Sequence, residues 1–227
     1  MKVLIFGVTG MLGQGVLREC LRADDVSQVT TIGRKASGVH DPKLREIVHA
    51  DLYDYRAIED RLRGYDACYF CLGVSAGGMN EADYSRITYE LTLAAAQTLA
   101  RLNPGMRLVY VSGAGTDSSE RGRSMWARVK GRTENALQRL PFQAVYLFRP
   151  GVIQPLHGAR SSTPAYRWFY TLTKPLLSPL RALLPNRILS TESIGLAMLE
   201  VARHGAPKAV LETRDIRALA DRAQAHG

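Results

Sequence analysis

The 227-residue chain lacks any run of about eighteen uncharged apolar residues, the length that a membrane-spanning helix requires. It has only three cysteines, an odd number that argues against a disulfide scaffold and suits a reducing compartment. Its first strand-like run follows Met1 directly, which leaves no room for a signal peptide. We therefore expect a cytoplasmic protein with no integral membrane span.

Acidic residues are in the minority, with 21 Asp and Glu against 30 Lys and Arg, for a formal net charge of +9. Such an excess can attract nucleic acid or anionic lipid. The basic residues are spread along the chain and no recognised nucleic-acid motif accompanies them, so no nucleic-acid partner is expected. Cys68 and Cys71 form a C-x-x-C pair, but they lie in an apolar run without a second cysteine pair. We interpret them as core residues and predict no metal site.

Short apolar runs alternate with amphipathic segments through most of the chain. The runs that predict strands lie at 3–7, 29–32, 44–48, 67–72, 108–111 and 144–148, and a last edge strand is predicted at 209–212. The predicted helices lie at 54–63, 81–102, 124–139 and 192–203. This alternation predicts an α/β fold with a Rossmann-type, doubly wound parallel sheet that binds its ligands at the carboxyl ends of the strands.

The first predicted strand ends in a glycine-rich turn with Gly7, Gly10 and Gly13, and a helical pattern follows it. Such a turn lets backbone approach a pyrophosphate and directs the helix N-terminal N–H groups at it. The spacing Gly7-x-x-Gly10-x-x-Gly13, with Thr9 before the middle glycine, resembles the extended and atypical branches of the short-chain dehydrogenase/reductase superfamily. These branches include sugar-nucleotide epimerases and Tat-interacting-protein-like oxidoreductases. A glycine-rich hairpin without a ligand is the alternative interpretation.

The residues after the second predicted strand bear on the choice of cofactor. An NAD-specific site usually carries an acidic residue about twenty positions past the glycines. Here Arg34 and Lys35 stand at that point, and two cations would attract the 2′-phosphate of NADP. NADP (NADPH) is therefore favoured over NAD, although an ordinary exposed basic loop would give the same pattern.

The resemblance implies further cofactor contacts. Asp51 and Leu52 match the pair that holds the adenine ring, although Asp51 is also placed to cap the following helix. Pro150, Gly151 and Val152 resemble the segment that faces the nicotinamide carboxamide. The whole set of implied cofactor residues is Gly7, Thr9, Gly10, Met11, Leu12, Gly13, Arg34, Lys35, Asp51, Leu52, Leu72, Gly73, Val111, Lys130, Pro150, Gly151 and Val152.

The resemblance also identifies a catalytic segment. In the superfamily a Ser at the end of the fifth strand binds the substrate carbonyl, and a Tyr-x-x-x-Lys on the next helix moves the proton and holds the ribose. Ser112 and Lys130 match this pattern, but Trp126 stands where the Tyr is expected, and an indole does not titrate. Another group can replace the Tyr, and the candidates are Tyr84, Tyr89, Thr116, Asp117 and His157.

An indole at position 126 is equally consistent with two arrangements that need no replacement acid. Hydride transfer to an activated alkene requires no side-chain acid if water supplies the proton. Alternatively, catalysis is lost and Trp126 is a core aromatic in a vacated site. The predicted function is accordingly an NADP(H)-dependent oxidoreductase acting on a small, partly apolar carbonyl or alkene compound. The alternative is a non-catalytic NADP(H)-binding regulatory or scaffold protein.

The resemblance divides the chain into an NADP-binding core, residues 1–155, and a small helical C-terminal lid, residues 156–227, within the same domain. The lid covers the small-molecule substrate and supplies the last sheet elements. It carries basic residues seven apart, at Arg160, Arg167, Lys174 and Arg181. Prolines interrupt this stripe, so a solvated helix face is favoured over peripheral membrane contact. A homodimer through the two long helices is an arrangement common among relatives.

Overall fold

The computed structural model describes residues 1–159 and 188–225. Its strands are β1 (Lys2–Phe6), β2 (Gln28–Gly33), β3 (Leu44–Val48), β4 (Ala67–Phe70), β5 (Arg107–Val111), β6 (Ala144–Arg149), β7 (Val152–Gln154), β8 (Ile188–Ser190) and β9 (Val210–Glu212). Its α-helices are α1 (Met11–Arg22), α2 (Glu81–Ser85), α3 (Leu91–Leu102), α4 (Met125–Leu137), α5 (Thr191–His204) and α6 (Thr213–Ala225).

Seven of these strands form a parallel sheet in the order β3-β2-β1-β4-β5-β6-β9. Helices cover both faces. Val3 and Ile5 of β1 belong to the core cluster under α1, α5 and α6, whereas Leu4 and Phe6 belong to the cluster on the opposite face, under α3. Because both faces are buried, the strand reads as a continuous apolar run rather than an alternating one. The predicted Rossmann-type fold is confirmed.

The predicted helix at 81–102 is continuous but irregular. Between α2 and α3, residues Arg86–Glu90 form a π-helical turn. A π turn holds more residues than an α turn and rotates the inward face of the helix. As a result Ile87 and Thr98, which share one face at regular helical spacing, are only partly buried, whereas Thr88 and Ala95 are buried.

The segment 54–63 also differs in detail from its prediction. It contains a 3-10 helix, Arg56–Leu62, rather than an α-helix. The predicted Asp51 cap is wrong, because the Asp51 carboxylate accepts the Tyr53 N–H at 2.9 Å, within a turn that precedes this helix. Asp54 instead accepts the Arg56 N–H at 3.0 Å. Local side-chain bonds of this kind favour turns over regular helix.

The C-terminal part completes the sheet. Ser190 opens α5 with a reciprocal capping box formed with Ser193, and Gly205 ends it. Ile194, Met198 and Val201 of this helix are fully buried. The helix predicted at 192–203 and the edge strand predicted at 209–212, which pairs with β6 as β9, are confirmed. Helix α6 and the two-stranded sheet of β7 and β8 were not predicted.

Helices α1 and α5 pack at backbone distance. A Cβ on Gly15 would lie 2.5 Å from the Thr191 Cβ, and one on Gly195 would lie 2.8 Å from the Glu19 Cγ. The two glycines therefore fix α5 beside the helix that follows the glycine-rich turn. This contact ties the C-terminal elements to the start of α1, at the carboxyl edge of the sheet.

Several predictions fall on residues outside the described ranges. The basic stripe of Arg160, Arg167, Lys174 and Arg181 lies there, in residues 160–187 of the proposed lid. Among the described helices, none is both long enough and apolar enough to cross a membrane.

The cysteine pair lies in the core, as interpreted from the sequence. Cys68 is fully buried in β4, and Cys71 packs against the core under α1. Burial raises the pKa of the Cys71 thiol to about 12, so the reactive thiolate is scarce at neutral pH.

Candidate functional site

The glycine-rich turn between β1 and α1 is closed by backbone contacts that leave no room for side chains. Gly7 has a φ of +84°, and a Cβ on it would lie 2.6 Å from the Leu72 backbone nitrogen. A Cβ on Gly13 would lie 2.1 Å from the Gly7 carbonyl oxygen, which also accepts the Gly10 N–H at 3.0 Å. Gly7 and Gly13 are therefore required by the packing of the turn itself.

Helix α1 begins at this turn without a side-chain cap. Its N-cap residue is Gly10, and its first turn contains no acidic residue. The first N–H groups of a helix have no intrahelical acceptor and carry partial positive charge. Met11 and Leu12 of the first turn are partly exposed, and Thr9 beside them is exposed. This end of α1 fits the pyrophosphate that the glycine spacing predicts.

Two exposed cations follow β2. Neither Arg34 nor Lys35 forms an ion pair with a carboxylate of the described residues. The loop that carries them is anchored two residues later, where the Ser37 N–H donates to the Glu46 carboxylate at 2.6 Å. Exposed cations on an anchored loop fit a phosphate group.

The other predicted cofactor residues end β3 to β6 at this same carboxyl edge. Asp51 is exposed, whereas the Leu52 side chain is buried in the core. Gly73 is exposed, and a Cβ on it would meet nothing within 4 Å. Val111 is partly buried, Pro150 is buried, and Gly151 and Val152 are exposed. Because the strands are parallel, these residues lie along one edge, although their contact with a cofactor stays a prediction.

The predicted catalytic Ser112 and Lys130 contact each other. The Lys130 ammonium donates to the Ser112 backbone carbonyl. The Ser112 hydroxyl is buried and donates to the Glu134 carboxylate at 2.5 Å. The hydroxyl proton is thus engaged by a side chain of α4, and binding a substrate carbonyl would require it to leave Glu134.

Glu134 is itself fully buried and paired with Arg149. The Arg149 Nε lies 3.0 Å from a Glu134 oxygen, and its Nη2 bonds the other oxygen and the Ser118 hydroxyl. This pair was not predicted from the sequence. The available signal was the position of Glu134, four residues after Lys130 and hence on the same helix face.

Burial has a large electrostatic effect on Lys130. It lowers the pKa of the Lys130 ammonium to about 8, and the Glu134 carboxylate acts in the opposite direction. An ammonium with this pKa is protonated at neutral pH and loses its charge as the pH rises through 8. Any interaction that depends on the Lys130 charge is therefore expected to weaken above that pH.

Trp126 lies beside the turn after β5, on the first turn of α4. Its side chain is partly exposed, and a Cβ on Gly115 would lie 3.5 Å from the indole Cη2. The interpretation of Trp126 as a core aromatic is wrong, because its ring is partly exposed and belongs to neither core cluster. Its partly exposed ring supplies an apolar surface and one N–H donor there.

Three of the predicted substitutes for the missing tyrosine are held by other contacts. Tyr84 is buried, with 1% of its surface exposed. The Arg132 guanidinium lies over the Tyr89 ring, 4.2 Å from its centroid. The Thr116 hydroxyl donates to the Gly113 carbonyl at 2.8 Å.

The two remaining candidates are also engaged. The Asp117 carboxylate accepts the Ser119 hydroxyl at 2.6 Å and the Gly122 N–H at 2.6 Å, and these bonds lower its pKa. A carboxylate with a lowered pKa is a poor acid at neutral pH. The His157 imidazole lies 2.6 Å from the Glu192 carboxylate. All five candidates thus already have structural contacts or lie in the core.

Comparison with known families gives a match over the cofactor half of the chain. The model of the NAD dependent epimerase/dehydratase family matches residues 3–122, which include the glycine-rich turn and β1 to β5. The rat protein named HTATIP2 is 26% identical over 214 residues, which cover 88% of this chain and 86% of that protein. The resemblance drawn from the glycine spacing is confirmed.

Fungal relatives match a shorter part of this chain than the rat protein does. The mitochondrial protein FMP52-2 of Scheffersomyces stipitis is 28% identical over 151 residues, which cover 66% of this chain and 65% of that protein. The chain thus spans slightly less than two thirds of that relative. Because that protein is named as mitochondrial, the predicted cytoplasmic location stays a prediction.

Two solved structures share the fold of this chain although their sequence identity to it is low. The Bordetella bronchiseptica enzyme WbmF, in complex with NAD+, superimposes with a TM-score of 0.68 at 17% identity, covering 99% of this chain and 77% of that one. An oxidoreductase of the short chain dehydrogenase/reductase family from Burkholderia thailandensis gives 0.68 at 16%, covering 99% and 95%. At these identities the likeness establishes the fold. Dimerisation through the long helices stays a prediction.

Proposed function

Because the chain belongs to the NAD dependent epimerase/dehydratase family, we propose that it is an NADP(H)-dependent oxidoreductase acting on a small, partly apolar carbonyl or alkene compound. One observation carries the proposal. The Lys130 ammonium lies at the end of β5, on the sheet edge that also carries the uncapped start of α1. A dinucleotide on that edge would extend from the α1 N-terminus toward Lys130.

Each part of the cofactor would meet a group suited to it. The first N–H groups of α1 would bind the pyrophosphate. Arg34 and Lys35 would bind the 2′-phosphate that distinguishes NADP from NAD. Lys130 donates to Ser112 and keeps two further N–H donors, which suit the hydroxyls of the nicotinamide ribose.

The bound cofactor would supply the hydride, and the chain would position the acceptor. Trp126 would offer its ring face to a partly apolar compound and its N–H to an oxygen. The Lys130 charge would stabilise negative charge that develops nearby. The proton would come from water, from a group of the substrate, or from Tyr89 or His157. The Arg132 contact lies on the Tyr89 ring and does not involve its hydroxyl, and an imidazole paired with a carboxylate can still donate a proton.

A second candidate function is a non-catalytic NADP(H)-binding protein. Two observations favour it: Trp126 stands at the tyrosine position, and the Ser112 hydroxyl is committed to Glu134. Neither observation weakens cofactor binding, so the two candidates differ only in hydride transfer.

Hydride transfer is tested with NADPH that carries deuterium on the transferable carbon. The chain and its Lys130→Ala variant are each incubated with this cofactor and a metabolite extract, and products are read by mass spectrometry. We expect deuterium to enter a metabolite with the native chain. The variant should bind NADPH about 10- to 100-fold more weakly, because a charged hydrogen-bond donor is lost.

The outcomes separate the candidates. Deuterium transfer by the native chain alone supports the oxidoreductase and identifies its substrate class. NADPH binding with no transfer supports the non-catalytic protein. A chain that binds no NADPH contradicts both.

Replacing Trp126 with tyrosine distinguishes a working site from a dormant one. If the native site already obtains its proton elsewhere, Trp126→Tyr should change kcat by less than about tenfold. A positioned general acid contributes about 100- to 10,000-fold, so a gain of that size from a barely active chain would favour the dormant site. Trp126→Phe is the matched control, because it keeps an aromatic ring and adds no hydroxyl.

A further inference from the structure

Ser112 joins two charged residues of one helix. Its backbone carbonyl accepts the Lys130 ammonium, and its hydroxyl donates to the Glu134 carboxylate at 2.5 Å. Lys130 and Glu134 lie four residues apart on α4 and therefore on the same face. One residue at the end of β5 thus fixes both side chains relative to the carboxyl edge of the sheet.

Glu134 is held rigidly from its other side. The carboxylate is fully buried, and Arg149 at the end of β6 contacts both of its oxygens. The Arg149 side chain is 11% exposed and also donates to the Ser118 hydroxyl at 2.5 Å. A buried carboxylate is stable only when paired and hydrogen-bonded in this way. The arrangement spans β5, α4, β6 and the loop after β5.

We propose that Glu134 is a positioning residue of the candidate site, which orients Ser112 and keeps the Lys130 ammonium charged at the carboxyl edge of the sheet. The role in cofactor binding rests on the proposed function. The effect on Lys130 itself does not, since it concerns contacts within the chain. Glu134 would act on the ligand only through Lys130.

The negative charge of Glu134 affects the pKa of Lys130 in a definite direction. Burial lowers the pKa of Lys130 to about 8, and the negative charge of Glu134 raises it. On the elements packed against α4, Glu81 pairs with Arg128, Asp83 accepts the Asn80 amide, the Arg86 and Arg132 guanidinium groups lie over the Tyr53 and Tyr89 rings, and Glu90 is exposed. Asp117 caps its own loop, Tyr110 is buried, and Arg149 pairs with Glu134. Removing the Glu134 charge should therefore lower the pKa of Lys130 further.

The direct test is to titrate Lys130 by NMR in lysine-labelled protein without cofactor, with the Lys130→Ala variant used to assign its signal. We expect Glu134→Gln to lower the midpoint by about one unit or more, the usual effect of losing a nearby opposite charge. Glu134→Asp, which keeps the charge, should restore most of the native midpoint. Glu59→Gln removes a carboxylate paired with Arg101, far from the site, and should leave the midpoint unchanged.

Glu134→Gln leaves Arg149 paired only with the half-exposed Glu212, at 3.4 Å, and can unfold the chain. The double variant Glu134→Gln/Arg149→Met removes both charges, and apolar replacement of a buried pair is often near neutral for stability. It should fold, and its Lys130 midpoint should fall less than that of Glu134→Gln, because the Arg149 cation that opposes the Lys130 charge is lost as well. A native midpoint in folded Glu134→Gln, or a midpoint at or above the native one in the double variant, would overturn the proposal.

NADPH affinity links this residue to the proposed function. For a fall of about one unit, Glu134→Gln should weaken NADPH binding about fivefold at pH 8 and less than about twofold at pH 6.5, where Lys130 stays charged. If the midpoint shifts but the native chain binds no NADPH, the positioning role stands and the proposed function fails. If NADPH binds and the midpoint does not move, the proposed function stands and the positioning role fails.

Discussion

Gly13→Ala is expected to abolish NADPH binding and to lower the free energy of unfolding by about 3 kcal/mol. The new Cβ would lie 2.1 Å from the Gly7 carbonyl oxygen and 2.8 Å from the Val8 Cα. Both are backbone atoms of the turn, so they can retreat only if the turn itself opens. Opening moves the first N–H groups of α1 away from their position at the sheet edge. Chemical denaturation and titration calorimetry with NADPH measure the two effects.

The matched control is Gly105→Ala, the same change in an unrelated turn. A Cβ there would meet nothing within 4 Å, and Gly105 does not have the positive φ that favours glycine. Stability and NADPH affinity should both stay near native. A Gly13→Ala chain that bound NADPH with native affinity would contradict the placement of the pyrophosphate at this turn.

Removing the two cations after β2 is expected to change which cofactor is preferred. Arg34→Ala/Lys35→Ala should weaken NADPH binding about 100-fold and leave NADH affinity within about twofold of native. Two charge-assisted contacts to one phosphate contribute about 3 kcal/mol together, and each 1.4 kcal/mol is a factor of ten. Stability should change little, because both side chains are exposed and neither is ion-paired within the described chain.

Arg63→Ala/Arg139→Ala removes the same charge from exposed residues that precede the amino ends of β4 and β6, at the opposite edge of the sheet. It should lower NADPH affinity only slightly, and that loss should vanish as salt is raised. Titration calorimetry with both cofactors at low and high salt separates a local contact with the 2′-phosphate from the long-range attraction of the protein's net positive charge. Equal losses for NADPH and NADH in the Arg34/Lys35 variant would contradict the proposed 2′-phosphate site.

The sheet could be predicted from the sequence because its signals are local. A strand buried on both faces must be apolar throughout, and β1, β4, β5 and β6 each leave a mostly apolar run, whereas the edge strand β3 is mixed. Gly7 and Gly13 of the first turn could also be recognised in the sequence, because the packing of the turn leaves no room for a Cβ at either position. The positions of Arg34, Lys35 and Lys130 at the carboxyl edge follow once the strands are parallel.

The irregular and long-range features could not be predicted in the same way. The π-helical turn at Arg86–Glu90 rotates a helix face without any glycine or proline to mark it. The strands β7 and β8 have three residues each, too few to show a period. Helix α6 is amphipathic but polar on average, and its burial depends on α5 lying beside it.

The partner of the Ser112 hydroxyl was the main feature of the site that the sequence did not show, and the contact of Ser112 with substrate stays a prediction. A family pattern assigns its hydroxyl to the substrate, whereas the fold places a fully buried carboxylate within reach. Whether a serine faces ligand or core depends on the residue opposite, and Glu134 is 22 positions away in the chain. Such a partner becomes visible only when β5, α4 and β6 are assembled.

The pairing of β7 with β8 has a consequence for the order of folding. The two strands are parallel, with Val152 opposite Ile188 and Gln154 opposite Ser190. Each of these pairs joins residues that are 36 positions apart in the chain. The entropy of bringing such distant residues together must be lost before their contacts contribute any free energy. We therefore expect this small sheet to form late, after the local contacts of the seven-stranded sheet and its helices.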